Sequence, residues 1–196
     1  MSTPDPHPSR PATTAVADSA IDRLLAFWRP VVRDGLWMRK DAAFDDDFRS
    51  RFLDLHMAAA ARRCDGWIQP PDGALALMVL LDQFPRNAFR GSAHMYATDG
   101  LARLFADQAE PLGHMAAVQA PMRIFFVFPC THSESLADQE RSLAMSARLG
   151  AERLRQVSNH HAIIQRFGRF PHRNRLLGRA TTAAEEAFLA DGGFAG

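Results

Sequence analysis

Lysine is nearly absent from this chain: Lys40 is the only one, and the rest of the 23 basic residues are arginine. A nucleotide bias toward GC produces that skew by itself, so it is background before function. Cysteine is scarce too. Cys64 and Cys130 form no CxxC pair, which excludes a disulfide framework and fits two free thiols in a reducing cytoplasm. The opening segment, MSTPDPHPSRPATT, is proline-rich and lacks the apolar stretch of a signal peptide. Residues 1–17 are therefore expected to be a disordered tail. The longest apolar run, Ala74 to Leu81, falls far short of the about 20 residues that span a bilayer. A cytoplasmic protein with no membrane attachment is expected. HExxH, P-loop, GxGxxG and GxSxG strings are all missing, which removes the usual sequence support for zincins, P-loop and dinucleotide enzymes, and serine hydrolases. No metal and no cofactor is implied.

What is present is helical. A chain of 196 residues with 47% hydrophobic and 23% charged content fits one globular domain with its own core, taken as residues 18–196. The net charge of +1 gives no overall field for nucleic acid. Asp18 or Ser19 can cap a first helix carrying Ile21, Leu24, Leu25 and Trp28 and ending before Pro30. Phe48, Phe52, Leu55 and Ala59 pattern a second helix over Asp45 to Arg63. After the break at Gln69 to Gly73, ALALMVLLDQF is apolar on every side and should lie buried all round. Further helical stretches are expected over Gly91–Asp107, Met115–Phe128, Ser135–Leu149, Ala151–Phe167 and Ala183–Ala190. The β-type run Ile124 to Phe128 stands alone and ends at a proline. The fold class is all-α.

Phe-Pro occurs at 84–85, 128–129 and 170–171, about 43 residues apart, which is the length of a helical-hairpin repeat. Proline disfavours the α conformation of the residue before it, so each Phe should end or kink a helix. Polar residues come after each pair: Arg86 and Asn87; His132 and Glu134; His172, Arg173 and Asn174. Stacked antiparallel hairpins of tetratricopeptide-like architecture would bring these corners to one edge.

No Asp or Glu lies between Glu152 and Glu185, whereas Arg166, Arg169, Arg173, Arg175 and Arg179 do. Guanidinium forks concentrated in this way need anions from other segments, a partner or a ligand. Asp82 is the natural local carboxylate, either closing a helix end with Arg86 or standing behind a cationic wall. Glu134 completes a capping box with Thr131, and with His132 and Gln139 nearby it also suits acid–base work. His161 shares an apolar stripe with Leu154, Val157 and Ile164. It is a core histidine or, tuned by burial and Glu134, a general base. His160 points about 100° away from it. A metal set of His132, Glu134, His161 and His172 has compatible ligand types but no spacing that requires it. Nucleic-acid binding through the Arg run is not expected, because Phe167 and Phe170 look like core or corner residues rather than stacking platforms.

LLDQFPRN, FPxxHSE with Gln139 downstream, and HxxxxRFGRFPHRNxxLGR followed by TxxEExFL resemble the bacterial domain-of-unknown-function family 924. The resemblance runs from about Leu24 to Phe188 and implies an all-α, tetratricopeptide-like fold with no established activity. Two positions depart from that pattern. Cys130 stands where an aromatic residue is more usual, and Arg29-Pro30 comes after Phe27-Trp28 where a glycine is usual.

The leading expectation is a site for a small anionic molecule, a carboxylate or phosphate. Arg86, Arg169 and Arg173 would hold the anion, with Asn87, Gln139, His172 and Asn174 orienting it and Glu134 with His161 as an acid–base pair. The alternative is a tetratricopeptide-like scaffold that binds a peptide or protein partner, with the same motifs acting as structural locks. Whether a reaction is catalysed, and the oligomeric state, are left open by the sequence.

Overall fold

The computed structural model describes the backbone of residues 13–196 and the side chains of residues 20–196. Of the expected tail, residues 1–12 lie outside the described residues. Every described element is a helix and none is a strand. The helices are α1 (Thr13–Arg33), α2 (Ala42–Ala60), α3 (Pro71–Met78), α4 (Phe84–Ala88), α5 (Asp99–Ala109), α6 (His114–Ala117), α7 (Phe128–Thr131), α8 (Leu136–Ala147), α9 (Ala151–Phe167) and α10 (Ala183–Ala190). Among the described residues, no helix is long and apolar enough to cross a membrane.

Two boundaries differ from expectation for identifiable reasons. α1 begins before Asp18 and passes through Pro30 to Arg33. Leu24, Trp28 and Val31 are buried on one face, and the ladder resumes past the proline with Asp34 N–H to Pro30 O at 2.9 Å. Burial of Val31 offsets the bond that proline removes. α2 starts earlier than Asp45 because Asp41 is its cap, its carboxylate accepting from the N–H groups of Ala43 and Phe44 at 2.9 and 3.2 Å.

α3 is the axis of the core. Each residue from Ala74 to Leu81 is 0% exposed, as an all-apolar helix requires. Around it pack Trp28, Phe48, Phe84 and Phe125, with ring centroids 5.2 Å apart for Trp28–Phe48, 5.0 Å for Phe48–Phe84 and 5.6 Å for Trp28–Phe125. A smaller apolar cluster joins Ile163, Ile164 and Phe170 with Phe167 and Phe188.

Phe84-Pro85 was expected to end or kink this helix, and the chain takes the second course through a π turn. Val79–Gln83 widens the helix, and the chain then continues into α4. Pro85 has no N–H for the carbonyl of Leu81. Thr98 fills that place, its hydroxyl donating to Leu81 O at 2.6 Å. Arg86 Nη1 donates to Asp82 O at 2.7 Å and Asn87 Nδ2 to Gln83 O at 2.9 Å. Three consecutive carbonyls, those of residues 81 to 83, thus accept from side chains.

The three Phe-Pro corners do not share one geometry. Pro85 and Pro129 are second residues of α4 and α7, whereas Phe170 is extended (φ −89°, ψ 108°) ahead of the 3₁₀ turn Pro171–Arg173. α8 and α9 form a hairpin across a short loop, but a tandem stack of such hairpins is not confirmed. The corners nevertheless face one cavity, because residues from all three line it.

Replacing Thr98 by Val keeps the volume and removes the hydroxyl, leaving the buried Leu81 carbonyl unpaired. The unfolding free energy measured in urea is expected to fall by about 1–3 kcal/mol, with Thr98→Ser recovering most of the loss. An unchanged midpoint in Thr98→Val would contradict the role assigned to that hydroxyl.

Candidate functional site

The π turn carries Asp82, which is 1% exposed. A carboxylate at that depth requires compensation, and it receives three partners. His132 Nδ1 lies 2.7 Å from Oδ1, Gln83 Nε2 donates to Oδ2 at 2.6 Å, and Arg86 Nη1 lies 3.2 Å from Oδ1. Arg86 also grips Asp99 with both terminal nitrogens, at 2.9 and 3.0 Å. Arg90 holds Asp45 with Nε and Nη2 at 2.6 and 3.0 Å, and its Nη2 donates to Asn87 Oδ1 at 3.0 Å.

Arg173 enters from the third corner. It is 6% exposed, with its guanidinium carbon 4.5 Å from the Tyr96 ring centre and 4.6 Å from that of Phe170. Its Nη2 donates to His132 O at 2.9 Å, while its carboxylate contact, Nη1 to Asp99 Oδ2, is 3.5 Å long. Asp99 therefore serves two guanidinium groups. Arg173 Nε and His172 Nδ1 are buried without a protein partner.

These groups surround an open cavity of about 470 Å³. Its polar wall includes Arg86, Asn87, His132, His160, His172 and Arg173, with Arg39, Lys40 and Arg90 also on the lining. Trp37, Met38, Met95, Tyr96, Phe128 and Phe194 supply the apolar surface. No Asp, Glu, Ser, Thr or Cys lines it among the described residues.

The expected site residues therefore divide. Arg86, Asn87, His172 and Arg173 come together on the cavity. Arg169, Asn174, Gln139 and Glu134 do not line it; they hold the third corner and its surroundings. Arg169 clasps Glu185 at 2.6 and 2.8 Å, and Asn174 Nδ2 reaches the same carboxylate at 3.3 Å. Glu134 is clasped by Arg179 at 2.6 and 3.0 Å and accepts the Phe170 N–H at 2.8 Å. Gln139, fully buried, donates to the carbonyls of Thr131 and Ser133, both at 2.7 Å.

The expected pairing of Glu134 with His161 is not formed. The cavity borders the α9 face of Gln156, Asn159 and His160, spaced i, i+3, i+4, and His161 lies on the neighbouring stripe. Among the described residues, no group of three or more His, Cys, Asp or Glu is arranged to hold a metal ion.

The pairing missed in sequence is Asp82 with His132. The two lie 50 positions apart with no local signal in the sequence, and the His132 ring is held against Phe128, one turn before it, at 5.2 Å. Burial pushes His132 down to about 4, with Arg86 adding to the effect and Asp82 opposing it. Burial would raise Asp82, but the positive charge of Arg86 and the contact with His132 hold it below the usual carboxylate range. An ionised carboxylate only accepts hydrogen bonds, so the imidazole proton sits on Nδ1 and the lone pair on Nε2. His160 and His172 are lowered by burial first, then by neighbours that include Arg173, with His172 reaching about 3.

Comparison with known proteins agrees with this architecture. The family model described as a bacterial protein of unknown function (DUF924) matches residues 24–193. The solved structure of the protein of unknown function ATU0120 from Agrobacterium tumefaciens is similar at 48% sequence identity, covering 89% of this chain and 99% of that one, with a TM-score of 0.86. Among curated proteins none matches.

The buried charges set two outcomes. A histidine with a depressed folded value stays neutral in the fold while the unfolded chain takes up a proton. The stability it contributes is complete above about pH 6.5 and is lost as pH falls toward about 4 for His132 and about 3 for His172. Urea midpoints are expected to decline already between about pH 6.5 and 5, where Asp82 and Glu134 are still ionised. His132→Asn should flatten that slope, and a constant midpoint across the interval would contradict it. Separately, Glu134→Gln breaks the clasp of Arg179 and should lower stability by roughly 1.5–3 kcal/mol. A change below about 0.5 kcal/mol, the ordinary surface range, would refute the structural role of Glu134.

Proposed function

The chain belongs to the bacterial family of unknown function DUF924, so its chemistry has to be read from the cavity, and we propose that the cavity binds a small organic anion: a carboxylate or phosphate on an apolar body. The observation that carries this is the lining. It presents Arg39, Lys40, Arg86, Arg90 and Arg173 and, among the described residues, no Asp or Glu side chain. Asp45, Asp82 and Asp99 stand behind the arginines as their partners, while the cationic forks border the cavity.

Arg86 and Arg173 repel each other across the single carboxylate of Asp99, and that repulsion, after burial, lowers Arg173 from its ordinary value. An anion placed between them relieves the repulsion and gives Arg173 the charge partner it has only at 3.5 Å. Trp37, Met38 and Phe128 favour a ligand with a hydrophobic part, and about 470 Å³ suits a metabolite-sized molecule.

A second opening of about 670 Å³ shares Trp37 and Met38 with the first and carries Arg29, Arg33 and Arg153. That continuity favours the alternative reading, a helical scaffold for an extended peptide or protein partner.

A thermal-shift screen of phosphate, sulfate, aliphatic and aromatic carboxylates, phosphorylated metabolites and divalent metals tests the proposal. A ligand at about 100 times its dissociation constant stabilises by about 2.7 kcal/mol. One anion class is expected to raise the midpoint of the wild type, with the rise lost in Arg173→Met and reduced in the exposed-site variant Lys40→Glu. If no anion shifts the wild type while peptide or protein partners bind it, the scaffold reading replaces this one.

A further inference from the structure

Building on the anion-binding reading of the same cavity, we infer that His132 is a general base toward the bound anion, with Asp82 as its positioning residue. The substrate class is then a small carboxylate or phosphate ester that carries a removable proton beside its anionic group.

Three observations converge on His132 Nε2. The ring is fixed on one side by Phe128, stacked at 5.2 Å, and at Nδ1 by Asp82 at 2.7 Å. The carboxylate accepts the Nδ1 proton, so the remaining nitrogen carries a lone pair. His132 lines the cavity, and among the described residues no Ser, Thr, Cys, Asp or Glu does. Carboxylate bases are thus missing from the wall among the described residues, and of the three imidazoles on it His132 is the one oriented by a carboxylate.

The step balances without a co-reactant. The base accepts a proton from a ligand O–H, N–H or C–H. The electron pair of the broken bond stays on the ligand beside Arg86 and Arg173. The imidazolium formed has its charge matched by Asp82.

The groups that set its basicity come from every element packed on it: Asp82 and Arg86 along the widened helix, Asp99 on α5, His160 on α9, and His172 with Arg173 at the third corner. Burial and Arg86 hold the free imidazole low. An anion against Arg86 and Arg173 screens them and raises His132 toward its ordinary range, so the base strengthens when its substrate is present.

Iodoacetate tests the inference, because it is an anion carrying an electrophilic carbon. His132 Nε2 attacks the methylene, the N–C bond forms, the C–I bond breaks and iodide departs with its electron pair. Peptide mapping of the full chain separates His132 from His160, His172 and the thiols of Cys64 and Cys130.

The expected result is carboxymethylation centred on His132, faster than labelling by neutral iodoacetamide by about tenfold or more, as a focused cationic cleft gives. At iodoacetate concentrations far below saturation the second-order rate reports the free protein, so it should hold down to about pH 5 and fall toward about 4, whereas an ordinary histidine loses reactivity near about 6.5. Asp82→Asn should slow labelling and shift the profile. Should that variant fail to fold, the wild-type profile and site map decide alone.

If iodoacetate modifies His160 or His172 and spares His132, the base assignment is overturned and the anion site stands. If His132 reacts equally with the acid and the amide, the base stands and the anion-binding reading is overturned. If neither reagent reaches His132, the inference is overturned outright.

Discussion

A carboxylate that is 1% exposed cannot stand alone, because removing its hydration costs several kcal/mol unless partners replace the water. Asp82 imposes that constraint on everything around it. Arg86, Gln83 and His132 converge on its two oxygens. Two of those residues are tied in turn: Arg86 to Asp99, and His132 through its carbonyl to Arg173. The network spans all three proline corners by way of one buried charge. The cavity wall is the outer surface of that compensation.

The arginine-rich third corner obeys the same electrostatics with different partners. A stretch with no acid of its own draws Glu134 from ahead of it and Glu185 from beyond it, and both arrive as bidentate clasps. Glu185 also completes the cap of α10 with Thr182, so the last helix and the corner are fastened by one side chain. Arg166 and Arg175 are exposed and take no carboxylate among the described residues, and the buried guanidinium that escapes is Arg173, which rests between two aromatic rings with only a long carboxylate contact. The motif contains both structural locks and a cavity residue, and the partition depends on which arginines a carboxylate can reach.

The helices were largely legible because Trp28, Phe48, Leu75 and their neighbours recur at helical spacing, and burial enforces that periodicity. The wide turn before Phe84 was not, since a π turn arises from which carbonyls find donors in three dimensions, and Thr98 is distant in sequence from Leu81. For the same reason Arg86 and Arg173 could be singled out as cations, while their shared dependence on Asp99 could not. That His160 rather than His161 borders the cavity turned on an angle: periodicity states which residues share a face, not which face meets an opening. Glu134 was misweighted because its strongest partner, Arg179, lies 45 positions away.

The widened helical turn has a consequence for lineages. A π turn holds one residue more than the α turn it replaces, so deleting a single position within Val79–Gln83 would restore regular helix and leave the helix beyond it in place. Arg86 would stay beside Asp99, and the change would be confined to the turn that carries Asp82. A one-residue difference in the length of this short segment thus acts locally, on the setting of the buried carboxylate.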